Sequence, residues 1–181
     1  WEKQMRIWGS GTARSLRPIW VAEELGLEYD LQPIGPRTGE TKTCEYTALN
    51  RKQKIPFLED GDIRLSESLA ICRYLIAAYP TEELSAPLSS VDTAKEDEWC
   101  CYIYGEIDET SLYVMRRHLD LGEIYGQSEE TVQSAAAYAQ RHLGVVADLL
   151  NDQDYLMLDR FGLPDILLMS CLDWASFYGV A

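Results

Sequence analysis

Strand-type patterning in this 181-residue chain is confined to the residues before Pro80, and only helical periodicity follows it. The chain must therefore build a mixed α/β half and then an all-helical half. Met5-Arg6-Ile7-Trp8 is a short apolar run halted at Gly9-Ser10-Gly11, a strand feeding a loop. Leu16, Ile19, Trp20, Leu25 and Leu27 recur mostly at spacings of three to five, and Gly26 stands where a left-handed cap ends a helix. Tyr29-Asp30-Leu31-Gln32-Pro33 alternates as a second strand, which a right-handed crossover lays parallel to the first.

A polar, basic, Gly-containing loop runs from Ile34 to Lys42, and a short helix is expected over Glu45–Leu49. Between Lys54 and Leu65 the pattern predicts two short strands joined through Asp60-Gly61 as a hairpin. Leu69, Cys72, Leu75, Ile76 and Tyr79 mark one face of a third helix, closed by Pro80. The order βαβ, connector, ββα is that of a thioredoxin-like half, assigned to residues 1–80. Residues 81–90, rich in Pro, Ser, Ala and Glu without apolar period, read as a linker. Residues 91–181 read as an all-helical domain, with long helices over 91–118 and 128–150 and a last one starting near Pro164. The second opens with Ser128-Glu129-Glu130-Thr131, acidic where the helix dipole favours it.

Composition narrows the function. An apolar content of 46% excludes disorder. Thirty acidic against sixteen basic residues, a net charge of −14, repel phosphate backbones and anionic lipid. No nucleic-acid or membrane partner is expected. The longest apolar stretches, such as those at Leu69–Ala78 and Ile166–Ser170, fall well short of the roughly 20 residues that span a bilayer. Trp1–Gln4 contain no basic segment leading into an apolar one and are read as residues ahead of the fold. Five cysteines without regular spacing do not describe a disulfide framework, which favours a reducing cytoplasm. His118 and His142 are isolated from carboxylates and cysteines at ligand spacing, so neither a metal site nor a Ser-His-Asp triad is supported. Gly9-Ser10-Gly11 lacks the third glycine of a dinucleotide loop.

Three hydroxyls, Ser10, Thr12 and Ser15, lie between the first strand and its helix. Because proline fits the first helical turn, counting back from Pro18 makes Ser15 the expected N-cap.

Several motifs together resemble the glutathione transferase superfamily, from Met5 to the end of the chain. They are Gly9-Ser10-Gly11-Thr12-Ala13-Arg14-Ser15-Leu16-Arg17-Pro18-Ile19-Trp20 with Glu23-Glu24-Leu25-Gly26-Leu27, then Asn50 with Lys54-Ile55-Pro56-Phe57-Leu58. Glu67-Ser68-Leu69-Ala70-Ile71, Trp99 and Leu163-Pro164-Asp165-Ile166 complete the set. The first of these is similar to the active-site loop of bacterial, serine- or threonine-type members. The resemblance implies an enzyme that binds glutathione as co-substrate, with no other cofactor, and activates its thiol for attack on a small hydrophobic electrophile. Thr12, five residues before Arg17, takes the thiol-activating position, with Ser10 second. Pro56 is the expected cis-proline, turning the Ile55 backbone toward the peptide, while Glu67 and Ser68 hold the γ-glutamyl end. Lys54, with Arg37 or Lys42, is expected at the glycyl carboxylate. The electrophile is expected against Tyr102, Glu106, Tyr113 and Arg116 of the long helix.

The absence of cysteine from the loop speaks against mixed-disulfide chemistry there. Cys44, Cys72 and Cys171 are expected to be buried or incidental. A cytoplasmic homodimer acting in detoxification is what the resemblance implies. Arg51 and Gln53 stand where the family often has Pro and Gly, Leu158 where Gly is common, and Gly162 where a capping Ser or Thr is usual. The last helix is then expected to rely on Asp165 and on Gly162 as a weaker cap. A non-catalytic module of the same fold, kept for protein or ligand binding, stays open as the alternative.

Overall fold

The computed structural model describes residues 5–158 and 160–181. Trp1–Gln4, read above as preceding the fold, lie outside the described residues. The chain divides into two compact units, Trp1–Ala86 and Pro87–Ala181.

In the first unit, strands β1 (Arg6–Trp8), β2 (Asp30–Gln32), β3 (Phe57–Asp60) and β4 (Ile63–Ser66) form one sheet in the order β2-β1-β3-β4. β1 runs parallel to β2 and antiparallel to β3, and β3 antiparallel to β4. Alternation along the strands sorts the side chains between two faces. Ile7 and Leu58, opposite each other in register, are fully buried with Val21 and Ala22 of α1 (Ala13–Glu24) and Ile71, Cys72 and Leu75 of α3 (Ser68–Ala78). On the opposite face Trp8 and Phe57 pair, and Tyr46 of α2 (Cys44–Leu49) packs its ring 5.5 Å from Trp8 and 6.3 Å from Phe57. A 3₁₀ turn at Glu40–Lys42 precedes α2 within the segment expected to be loop.

Three details depart from the pattern-based expectation. The buried stripe of α1 is Ser15, Arg17, Pro18, Val21 and Ala22, whereas Leu16 is 40% exposed. Apolar spacing alone missed this because a buried arginine and a serine share the face. The hairpin loop is Gly61-Asp62 rather than Asp60-Gly61, with Gly61 supplying a φ of 57°. Asp60 instead ends β3, where its carboxylate accepts the hydroxyls of Tyr74 (2.8 Å) and Tyr79 (2.7 Å). Tyr79 therefore lies exposed at the end of α3 rather than on its buried face.

The second unit is helical. α4 (Ser90–Tyr102), a π-helical segment (Ile103–Leu112) and α5 (Tyr113–His118) follow without interruption. The expected single helix over 91–118 is thus widened in its middle, where the Tyr113 N–H returns to the Asp108 carbonyl. Buried residues in that segment are Ile103, Ile107, Asp108, Ser111 and Leu112, a longer recurrence than the α-helical 3.6. A short α6 (Gly122–Tyr125), unforeseen from pattern, leads to α7 (Glu129–Leu150), capped by Ser128 through the Thr131 N–H. α8 (Leu163–Phe177) closes the unit, burying Ile166, Leu167, Cys171 and Ala175. Glycine at its N-cap has no side chain to offer, so Asp165 carries the whole cap. Its carboxylate accepts the N–H groups of Gly162 and Leu156, both at 2.9 Å. Burial raises the Asp165 pKa, and the backbone donors pull against that.

Among the described residues no helix is long and apolar enough to cross a membrane, and no group of three or more His, Cys, Asp or Glu is gathered to hold a metal ion.

Candidate active site

The first component is the N-terminus of α1. Thr12, not Ser15, is its N-cap: its backbone is extended (φ −135°, ψ 151°) and its Oγ1 accepts the Ser15 N–H at 3.1 Å. Ser15, fully buried at the third helical position, closes the box by accepting the Thr12 N–H at 3.2 Å, and the two hydroxyls touch at 2.8 Å. The proline rule misplaced the cap because Pro18 sits in the second turn, six residues after the true N-cap, and not in the first. Capping brings the Thr12 hydroxyl to the positive end of the helix dipole, where it favours a neighbouring anion. The Ser10 N–H donates to the Ile34 carbonyl at 3.1 Å, and its hydroxyl has no hydrogen-bond partner among the described residues.

The second component is the loop from Asn50 to Pro56. The Ile55-Pro56 peptide is cis, as expected. The Lys54 carbonyl is held twice, by the Tyr46 hydroxyl at 2.6 Å and Asn50 Nδ2 at 2.8 Å. Burial raises the Tyr46 pKa, keeping that hydroxyl a donor. The backbone N–H and C=O of Ile55 pair with nothing among the described residues, leaving a short free strand edge. Gly9 (φ 109°) lets the β1–α1 loop reach this edge: a Cβ there would stand 2.6 Å from the Ile55 Cβ. Gln53 adopts a positive φ of 53° and ties its amide to Thr47 Oγ1 at 3.0 Å.

The third component is the N-terminus of α3. Glu67 occupies the N-cap with φ 76°, and no side chain caps the helix. Backbone N–H groups in its first turn are therefore open to an acceptor. Ser68 is buried, and its Oγ accepts from Nη1 of the fully buried Arg17 at 3.4 Å. Arg17 thus joins α1 to the start of α3, a role that sequence spacing did not disclose. Lys52 was missed too: its Nζ lies 2.8 Å from Glu67 Oε1. The side chains of Arg37, Lys42 and Lys54 are exposed and make no ion pair or hydrogen bond among the described residues.

In the second unit, the four candidates from the long helix separate. Tyr102 hydrogen-bonds His142 Nδ1 at 2.7 Å, and Glu106 accepts the Tyr138 hydroxyl, so both are engaged with α7. Glu106 raises the pKa of Tyr138 through that bond. Arg116 lies over the Trp174 ring of α8 at 5.9 Å, and Tyr113 is half-buried. The five cysteines are unbridged: Cys72, Cys100 and Cys171 are buried, Cys44 and Cys101 exposed.

A dipole-assisted hydroxyl, an unpaired strand edge and an uncapped helix N-terminus are donors suited to a thiolate, a peptide and a carboxylate respectively. Comparison with known proteins bears on that set. Residues 3–77 match the family model described as the glutathione S-transferase N-terminal domain, and residues 95–181 its C-terminal domain. The Escherichia coli glutathione S-transferase GstA is 30% identical over 72% of this chain, and the chain spans 62% of that protein's length. Glutathione S-transferase 1 of Schizosaccharomyces pombe is 30% identical over 88% of this chain and 69% of its own length. Among solved structures, the theta class glutathione S-transferase of Xanthomonas axonopodis pv. citri, with glutathione bound, superposes with a TM-score of 0.82 at 27% identity. That match covers 97% of this chain and 83% of the other.

Proposed function

The chain belongs to the glutathione S-transferase family, and on that premise we propose that it binds glutathione and activates its thiol for attack on a small hydrophobic electrophile. The observation that carries this reading is the Thr12 hydroxyl at the N-terminus of α1, on the loop whose Gly9 abuts the free edge of Ile55.

A thiol with an ordinary pKa of about 8.5 is only a few per cent ionised at neutral pH. Lowering that pKa by two units requires about 2.7 kcal/mol of preference for the thiolate. One hydroxyl donor to an anion supplies about 1.5–3 kcal/mol. The α1 dipole adds about 0.3–1 kcal/mol. These magnitudes suffice together. The Thr12 hydroxyl donates to the sulfur while its oxygen goes on accepting the Ser15 N–H, so the cap is kept during the reaction. The thiol proton leaves to solvent, and the thiolate sulfur bonds to the electrophilic carbon as that carbon's leaving group departs with its electron pair, or as a double bond opens and its far atom is protonated by solvent.

The peptide of glutathione pairs with the Ile55 edge, next to Pro56. The γ-glutamyl carboxylate sits on Ser68 and the first-turn N–H groups of α3, and its ammonium pairs with Glu67. The exposed side chain of Lys54 is available to the glycyl carboxylate. The electrophile subsite draws on Tyr113 and Arg116, with Tyr102 and Glu106 buttressed by α7. The assembly is a cytoplasmic homodimer.

Glu67→Ala and Ser68→Ala test the binding half of this reading by calorimetry with glutathione. Loss of a hydrogen bond to a charged group weakens binding roughly tenfold or more. Unchanged affinity in both variants contradicts the assignment.

A further inference from the structure

Lys52 lies outside every motif that drew attention in the sequence, yet it contacts Glu67, the residue assigned above to the γ-glutamyl ammonium. Its Nζ stands 2.8 Å from Glu67 Oε1, with both side chains about half exposed. The two residues come from different components of the site. Lys52 belongs to the loop that presents Ile55, and Glu67 stands at the N-cap position of α3. Both are aimed by their backbones. The Lys52 N–H is fixed on Asn50 Oδ1 at 3.1 Å, and the same Asn50 side chain holds the Lys54 carbonyl. Glu67 has a left-handed φ of 76°. Lys52 is a primary ammonium on a flexible stem, and the α-amino group of a γ-glutamyl ligand is another primary ammonium. Both seek the same carboxylate.

We propose that Lys52 is an internal competitor for the γ-glutamyl ammonium, a latch on Glu67 that a ligand must open and that sets the selectivity of this subsite. The inference rests on the assignment of Glu67 to the ammonium. Two ammonium groups on one carboxylate would lie about 5 Å apart, within a Debye length of roughly 8 Å, and repel. Seating the ligand therefore turns Lys52 out into solvent, at no covalent cost and with no proton moved. A ligand without the amino group leaves Lys52 in place, and Glu67 is then not left as an unpaired charge. The latch consequently penalises glutathione and shelters its deamino analogue, narrowing the difference between them.

The test is calorimetric titration of the full chain with glutathione and with its deamino analogue, glutaryl-cysteinyl-glycine, for the native protein, Lys52→Met and Glu67→Gln. Lys52→Met is expected to tighten glutathione by about 1.4- to fivefold, the range of an exposed ion pair. The same change leaves the analogue unimproved or weaker, so discrimination widens. Unaltered discrimination in Lys52→Met, with Glu67→Gln still abolishing it, overturns the latch and leaves the ammonium assignment standing. If Glu67→Gln leaves the native discrimination intact, the ammonium assignment itself fails and the latch falls with it.

Discussion

Leu158 and Gln53 hold left-handed backbone, φ 67° and 53°, at two positions where glycine is common in the family. A side chain in that region costs about 1–2 kcal/mol, against about 0.5–1 kcal/mol of extra chain entropy that glycine loses on folding. Gln53 recovers part of the cost through Thr47. Leu158 recovers little, because its side chain is 65% exposed. Leu158→Gly is therefore expected to stabilise the protein by about 0.5–1 kcal/mol, read as a higher midpoint in urea with an unchanged slope. A lower midpoint would mean that the exposed side chain contributes packing. At this scale the sequence made legible the cis peptide before Pro56 and the place of Glu67-Ser68 at the start of α3, both carried by residue type. It hid those whose role depends on distant partners. Nothing local marks Arg17 as buried against Ser68 or Lys52 as bound to Glu67, since each pair is joined only when α3 is brought to its place.

Helix ends show the same division among elements. Ser128 before an acidic turn announced α7 correctly, whereas Pro18 pointed to the wrong cap for α1, because a proline is informative only when it lies in the first turn. The π-helical segment was illegible, since apolar spacing over 103–112 fits an α-helix nearly as well until Asp108 and Ser111 are known to be buried. At α8 the prediction is quantitative. Asp165 alone accepts the Gly162 and Leu156 N–H groups, so Asp165→Ala orphans two buried donors. The expected cost is about 1–3 kcal/mol for each orphaned donor, with a fall of about 2–4 °C in melting temperature for each kcal/mol. An unchanged melting temperature would show that other acceptors replace the carboxylate.

For the whole molecule, the order βαβ–ββα and then helices was readable because period and punctuation change at Pro80, while the site had to be assembled from three separate stretches. Acidic partners also shape the alkaline limit of the fold. Tyr29, Tyr74 and Tyr178 are each pushed up to about 12, chiefly by burial and then by hydrogen bonds to Glu23, Asp60 and Asp120. Their folded pKa lies above the unfolded value of 10.0, and it is the ionised form that folding disfavours. Their contribution is thus constant below pH 10 and is lost as pH rises from 10 toward 12. Absorbance at 295 nm should show these tyrosines ionising late and unfolding accompanying them. Ionisation of every tyrosine near pH 10 in the folded chain would contradict the pairing. The proposed activity requires this fold to make a thiolate. Its most direct test is a pH titration of the ultraviolet absorbance of bound glutathione in the native protein, Thr12→Ala and Thr12→Ser. The bound thiol is expected to have a pKa well below that of free glutathione, raised by about one unit or more in Thr12→Ala, as loss of one hydrogen bond to an anion requires, and restored in Thr12→Ser. A bound thiol that titrates like free glutathione, or a depressed pKa that ignores Thr12, would contradict it.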